Sequence, residues 1–340
     1  MRKGYKYRSG MGLRGDNEKL FMRDVKTLIS DNLYAPTIDQ LNDLHEGLVN
    51  DEGIRSIMRE FSKLSKSRND LALNAYDSLR KKLREVGIYS LCTNAENEPL
   101  WTHYSTDHTG FVIEYDLDFL EKSLNYNLYM PLINIIKVNY TDNPPTVNFD
   151  DLFGNNKESF LRLFLGNKEK KWSYEEEIRF ITEPSGTIRI DHRAITGIYF
   201  GYKMDDSEID CIMRGLKGRG LSYYKMVLNK DRFGLTAVKI PDKYNNTELY
   251  IPNKIDYELN EIFLDSIYPP AQLTYKDKLI EALEIVRYDP LITDIDIATI
   301  DMDQDNQPIF KIFAETIYPL APRREYKFGL CDDGSLISLN

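Results

Sequence analysis

Three carboxylates and a guanidinium fall within five residues of the segment Lys171-Trp172-Ser173-Tyr174-Glu175-Glu176-Glu177-Ile178-Arg179-Phe180-Ile181-Thr182. On an extended chain the side chains alternate between faces, so Glu175, Glu177, Arg179 and Ile181 share one side while Tyr174, Ile178 and Phe180 share the other. Two acids and a base then converge beside an aromatic wall, as acid–base work or stabilisation of a developing positive charge requires. Strict alternation puts Glu176 on the apolar side. That predicts a bulge or turn over Tyr174 to Glu176, with the strand proper beginning after it. A half-buried strand with an ordinary ion pair carries the same residue types, so the segment gains meaning only alongside others of its kind.

Three others exist: Tyr7-Arg8-Ser9; Asn42-Asp43 with Glu46-Gly47; and Trp101 with His103-Tyr104 and His108. Taken singly, each has a packing explanation, because buried aromatics with a polar handle are common and Asn or Asp closes its own turns. Four such clusters, separated in sequence, point instead to one pocket assembled from four segments. Several common chemistries lack their signatures. There is no His-Glu-x-x-His pair, Walker-type glycine loop, Gly-x-Ser-x-Gly elbow or dinucleotide fingerprint. The stretch Asp301-Met302-Asp303-Gln304-Asp305-Asn306-Gln307 superficially matches a calcium loop, but Asn306 stands where Gly is needed and Ile312 where a bidentate Glu is needed, so a hairpin turn is expected. No metal is expected.

The four clusters, in this order, resemble an uncharacterised bacterial family, the domain of unknown function 2971. Its members look like Tyr-Arg, then Asn-Asp-x-x-Glu, then Trp-x-His-Tyr-x-x-x-His-x-Gly-Phe, then Trp-x-Tyr-Glu-x-Glu-x-Arg, and the resemblance spans about residues 5 to 240. Leu44-His45 departs from the Pro-Phe expected in the family's loop. The order Arg8, then Ser90 and Thr93, then Glu175-Glu176-Glu177 is also similar to that of ADP-ribosyltransferase folds. That similarity implies an enzyme of toxin or phage-defence type that consumes NAD as its substrate. Glu177 would stabilise the oxocarbenium ion, Glu175 would activate a protein or nucleic-acid acceptor, and His103 would assist catalysis. Arg8, Tyr7, Asn42, Asp43, Trp101, Tyr104 and Tyr174 would bind the dinucleotide, its phosphates on a cation and its nicotinamide on aromatics. Two other readings use the same residues. One is a metal-dependent nuclease or phosphodiesterase with Asp43, Glu46, Glu175 and Glu177 around a divalent ion. The other is a non-catalytic nucleotide sensor whose C-terminal unit docks a partner.

The elements that must position these residues are of mixed type. Tyr5 to Ser9, Leu33 to Ala35, Ile88 to Thr93 and Phe111 to Tyr115 read as strands, and Asp16 as the cap of a helix with Leu20, Phe21, Val25, Leu28 and Ile29 on one face. Residues 54–86 carry one or two amphipathic helices, and 157–169 another. Strands follow at 187–190, 195–201, 222–227 and 235–240, with a helix at 206–219. The expectation is an α+β fold, with mixed or antiparallel central sheets flanked by helices over residues 1–240. A linker at 241–258 then leads to a small helix-and-hairpin unit at 259–340. The 340 residues carry a net charge of -10 with no basic patch, which counts against a binder of nucleic-acid backbone. Three scattered cysteines, Cys92, Cys211 and Cys331, fit reduced thiols, and no apolar stretch has the length of a membrane span, so a cytoplasmic protein away from membranes is expected.

Overall fold

The computed structural model describes residues 2–64, 71–125, 132–153, 157–317 and 322–339. It is an α+β protein whose contacts divide it into two compact units, one of residues 1–121 and 131–247, the other of residues 122–130 and 248–340.

In the first unit the strands are β1 (Lys3–Arg8), β2 (Asn32–Ala35), β3 (Gly87–Cys92), β4 (Phe111–Asp116), β5 (Leu132–Lys137), β6 (Asn139–Thr141), β7 (Asn167–Glu169), β8 (Glu177–Thr182), β9 (Gly186–Arg189), β10 (Ile195–Phe200), β11 (Ser222–Leu228) and β12 (Leu235–Ile240). The helices are α1 (Glu18–Ile29), α2 (Glu52–Leu64), α3 (Leu71–Glu85), α4 (Glu98–Tyr104), α5 (Leu117–Ser123), α6 (Phe149–Phe153), α7 (Lys157–Leu165) and α8 (Asp206–Gly215). Eight strands form one sheet in the order β12-β11-β10-β4-β1-β3-β8-β5. Every neighbouring pair is antiparallel except β10 with β11. The central β4 is buried at five consecutive positions, as a strand covered on both faces should be.

Most of the pairing is regular, but β1 and β3 meet at one ladder position only, Tyr5 against Cys92. On its other side β1 pairs with β4 over six positions, and β3 pairs with β8 over six. The sheet is therefore two well-zipped halves that diverge between β1 and β3. Backbone groups freed by that divergence need other partners, and the Lys6 ammonium supplies one by donating to the Ser90 carbonyl at 2.8 Å.

Local differences from the sequence expectation have identifiable causes. α1 is capped by Asn17 rather than Asp16, and the Asn17 amide is tied to the Gly10 carbonyl and to Thr106 Oγ1. The helix expected over 157–169 stops at Leu165, because the Gly166 carbonyl is taken by Asn139 N–H and Asn167–Glu169 pairs in parallel with β6. That early stop places Lys168 on a strand. Between α4 and β4, Thr106, Asp107 and His108 all adopt left-handed backbone, with φ of 48°, 52° and 69°.

In the second unit, α9 (Leu259–Ile262), α10 (Pro270–Leu273) and α11 (Lys276–Val286) accompany an antiparallel sheet of β13 (Ile292–Met302), β14 (Pro308–Thr316), β15 (Arg323–Leu330) and β16 (Leu336–Ser338). Its core joins Leu279, Leu283 and Val286 of α11 to Ile295, Ile300, Phe310, Ile312 and Phe328 of the strands. The sequence anticipated α11 and the β13–β14 hairpin but not β15, whose alternation is blurred by Arg, Lys and Glu, nor the three-residue β16. The acidic turn between β13 and β14 is closed by Asp303, which accepts from the N–H groups of Asp305 and Gln307. Residues 241–258 contain neither helix nor strand. Among the described residues, no helix is long and apolar enough to cross a membrane.

Candidate functional site

Where β1 parts from β3 the first unit opens into a cleft of ≈ 830 Å³, lined by β1 (Tyr5 to Ser9), α1 (Arg23, Asp24, Thr27), the loop with Asn42 and Glu46, β3 (Ser90 to Cys92), Tyr104, Lys168, Glu175 and Glu177. Both faces of β1 border it, because a strand without a full neighbour exposes side chains on either side of its edge.

One wall is ionic. The chain winds through a single 3-10 stretch from Lys170 to Glu175, turns at Glu176 in left-handed backbone (φ 45°), and starts β8 at Glu177. The bulge or turn expected at Tyr174 to Glu176 is a tight turn, and it leaves Glu175 and Glu177 converging on Lys168. The Lys168 ammonium lies 2.5 Å from Glu175 Oε2, 3.4 Å from Glu177 Oε2 and 3.6 Å from Glu46 Oε1. Arg179, wholly buried, donates to Glu177 Oε1 at 2.9 Å through Nε and grips both Glu46 oxygens at 2.6 and 2.8 Å; it also reaches the Leu165 carbonyl at 2.8 Å. Tyr104 Oη donates to Glu175 Oε1 at 2.6 Å. Glu176 points away and accepts from Thr93 at the surface.

Burial alone would raise the Glu177 pKa, but Arg179 and Lys168, with a hydrogen bond from Ser90, hold it down to about 2. Burial would also lower that of Lys168, yet Glu177 and Glu175 hold it above its usual value. The wall therefore carries three carboxylates against two cations. One negative charge is unbalanced, next to space large enough for a ligand.

The β1 edge of the cleft is cationic. Lys6 and Arg8 share a face of β1 and approach the same Tyr89 ring, at 4.9 and 6.0 Å from its centroid. Arg8 is 4.0 Å from Asp24, a buried carboxylate already bonded by Arg23 at 2.8 Å. Burial, reinforced by Arg8, lowers the Lys6 pKa to about 7.

Of the residues singled out in the sequence, Tyr7, Arg8, Asn42, Tyr104, Glu175 and Glu177 line the cleft together. Others do not. Trp101 is fully buried behind Tyr7, in an edge-on ring contact at 5.3 Å, with its indole N–H on the Ala95 carbonyl. His103 is exposed on α4, its ring 6.4 Å from that of Tyr174, and Tyr174 itself leans on Trp172. Asp43 is buried and accepts from the His45 N–H within its own turn. Even so, the four clusters are brought together: Glu46 of the second shares Arg179 with Glu177 of the fourth, Tyr104 of the third donates to Glu175, and Tyr7 and Arg8 line the same cleft.

Sequence reasoning missed Lys6, Asp24 and Lys168. Lys6 immediately precedes the first cluster and, two residues from Arg8, shares its face of the strand, so strand periodicity could have found it. Lys168 lay inside an expected helix, and nothing in its neighbours marked it.

Comparison with known proteins bears on the middle of this site. The model of a family described as a protein of unknown function (DUF2971) matches residues 100–180, which hold Trp101, His103, Tyr104, Trp172, Tyr174, Glu175, Glu177 and Arg179. The resemblance read from these motifs is thereby supported over that stretch. No curated protein matches the chain, and no solved structure does.

Proposed function

We propose that the protein is an NAD-consuming enzyme, an ADP-ribosyltransferase or NAD glycohydrolase, acting in the β1–β3 cleft. The observation that carries this reading is the polarity of the cleft: it is lined both by an acidic wall with one uncompensated negative charge and by the cations Arg8 and Lys6 of β1. NAD has matching polarity, an anionic diphosphate at one end and a cationic nicotinamide ring on its ribose at the other. As the bond from ribose C1 to nicotinamide nitrogen breaks, its electron pair passes to the ring and positive charge develops on the ribose. The buried Glu177 carboxylate, kept ionised by Arg179 and Lys168, stabilises that charge. Ser90, bonded to Glu177, fixes the carboxylate's orientation. Glu175 then takes the proton of the acceptor as it attacks C1. His103 has no step in this scheme.

Two features favour this over a divalent-ion mechanism. The oxygens of Glu46, Glu175 and Glu177 are already engaged by the two cations Lys168 and Arg179, and Asp43 does not line the cleft. A sensor without turnover uses the same polarity, so the test must read product. Purified protein is incubated with NAD and released nicotinamide is measured by chromatography. Wild type is expected to release it, and Glu177→Gln to lose at least about 100-fold in rate while keeping its circular dichroism spectrum. Turnover that survives in Glu177→Gln removes that residue from the role. NAD that raises the melting temperature without product supports the sensor instead.

A further inference from the structure

Lys6 is the one group in the cleft whose setting leaves its charge unsettled. Two cations two residues apart on a strand lie roughly 7 Å from each other at the backbone, and Lys6 and Arg8 turn to the same aromatic ring. Arg8 has Asp24 within 4.0 Å. Among the described residues no carboxylate lies within ion-pairing distance of Lys6, and its single hydrogen-bond partner shown is an uncharged carbonyl, that of Ser90. The groups facing it are Arg8 from its own strand, Asp24 from α1, Tyr89 and Cys92 from β3, and Glu177 from β8. Asp24 is already engaged by Arg23, and Glu177 by Arg179 and Lys168. Burial raises the pKa values of Tyr89 and Cys92, the thiol to about 12, so both stay neutral. Glu177 and Asp24 favour the proton on the amine from beyond ion-pairing distance, and burial with Arg8 outweighs them.

We propose that Lys6 couples proton uptake to ligand binding: a diphosphate-bearing ligand settles between Lys6 and Arg8, and Lys6 takes a proton from solvent as it does so. This rests on the cleft being the ligand site of the reading above, but it asks only for a diphosphate, not for cleavage of NAD. In the empty cleft the amine is half-protonated near pH 7. An anion beside it favours the charged form and raises the pKa of the bound state. Below pH 7 the proton is already present and affinity is flat. Above pH 7 affinity falls by about tenfold per pH unit until the pKa of the bound state is reached, the slope of one linked proton. A permanent cation at this position would remove that dependence.

The test is calorimetric titration with ADP-ribose, whose diphosphate does not itself titrate near neutrality, at pH 6 and pH 8 in buffers of different ionisation enthalpy. Wild type is expected to take up close to one proton at pH 8 and almost none at pH 6. Lys6→Arg is expected to bind at both pH values without uptake, and Lys6→Met to bind more weakly without uptake, with circular dichroism confirming that each is folded. Equal uptake in wild type and Lys6→Arg overturns the proposal, as does ADP-ribose binding to wild type at pH 8 with no uptake. A parallel titration with pyrophosphate, comparing wild type with Lys6→Arg to cancel the probe's own titration, separates the two readings. Lys6-dependent uptake with pyrophosphate but no binding of ADP-ribose sinks the dinucleotide reading and leaves this one standing, while absence of binding by both probes overturns it.

Discussion

Arg179 is the residue on which the acidic wall depends. It has no exposed surface, and its guanidinium satisfies two carboxylates and a backbone carbonyl at once. Removing one partner of such a buried network leaves unpaired charge behind, so Arg179→Met is expected to destabilise the first unit by about 3–5 kcal/mol, measured by urea denaturation. Lys cannot reproduce a planar fork that meets both Glu46 and Glu177, so Arg179→Lys should recover only part of the loss. Glu177 gives a pH signature. Its pKa is held at about 2 in the fold against 4.5 for a free glutamate. A group depressed in the folded state contributes stability that is present above its unfolded value and lost as pH falls through the folded one. Urea midpoints of the wild type should therefore fall from about pH 4.5 toward pH 2, and less steeply in Glu177→Gln; parallel curves would show that Glu177 is not held down in this way.

At the scale of elements, the cleft exists because β1 is fixed firmly on one side and scarcely at all on the other. Its firm side ends in the left-handed turn of Thr106 to His108, which no glycine relieves, and such backbone persists only where its surroundings hold it. Here Thr106 and Thr109 accept from the N–H groups of Gly10 and Gly12, and His108 O accepts from Lys203 N–H, binding the turn to the chain beyond β1 and to the exit of β10. Gly201 lets that exit approach: a Cβ there would lie 2.2 Å from His108 O. Gly201→Ala should lower the melting temperature and weaken ligand binding together, since Arg8 leads directly into the displaced loop. Gly53 is the control. It stands exposed in the first turn of α2, where an added Cβ meets nothing within 4 Å, so Gly53→Ala should be neutral or stabilise by up to about 1 kcal/mol. Equal losses at both positions would mean that the turn is not under this constraint.

For the molecule as a whole, the two units have separate cores. That of residues 248–340 is built within α9 to β15 and includes Ile255 from the preceding chain, whose N–H bonds to the Arg287 carbonyl. A domain is expected to fold alone when its core is its own. A fragment of residues 248–340 should accordingly melt in one cooperative transition by circular dichroism. A broad, non-cooperative melt would show that this unit needs residues 122–130, which cluster with it.

Local pattern by itself determined much of this protein. The alternation in β1, the short apolar runs of β3 and β4 and the three-to-four spacing in α1 to α3 follow from covalent geometry and are visible in a short window of the chain. The turn at Glu176 was legible for the same reason, since a carboxylate on an apolar face must be turned out of it. Which acids belong together was partly legible: Glu175 and Glu177 are neighbours in sequence, while the clasp of Glu46 on Arg179 joins residues 133 positions apart. Tertiary structure alone decided that Trp101 packs behind the cleft while Tyr104, three residues on, reaches into it. It alone decided that Lys168 leaves its expected helix to pair with Glu175 and Glu177. The divergence of β1 from β3 is the plainest case, because a strand's own sequence fixes its alternation but not how far its neighbour follows it. On that divergence the cleft, and the unsettled charge of Lys6, both depend.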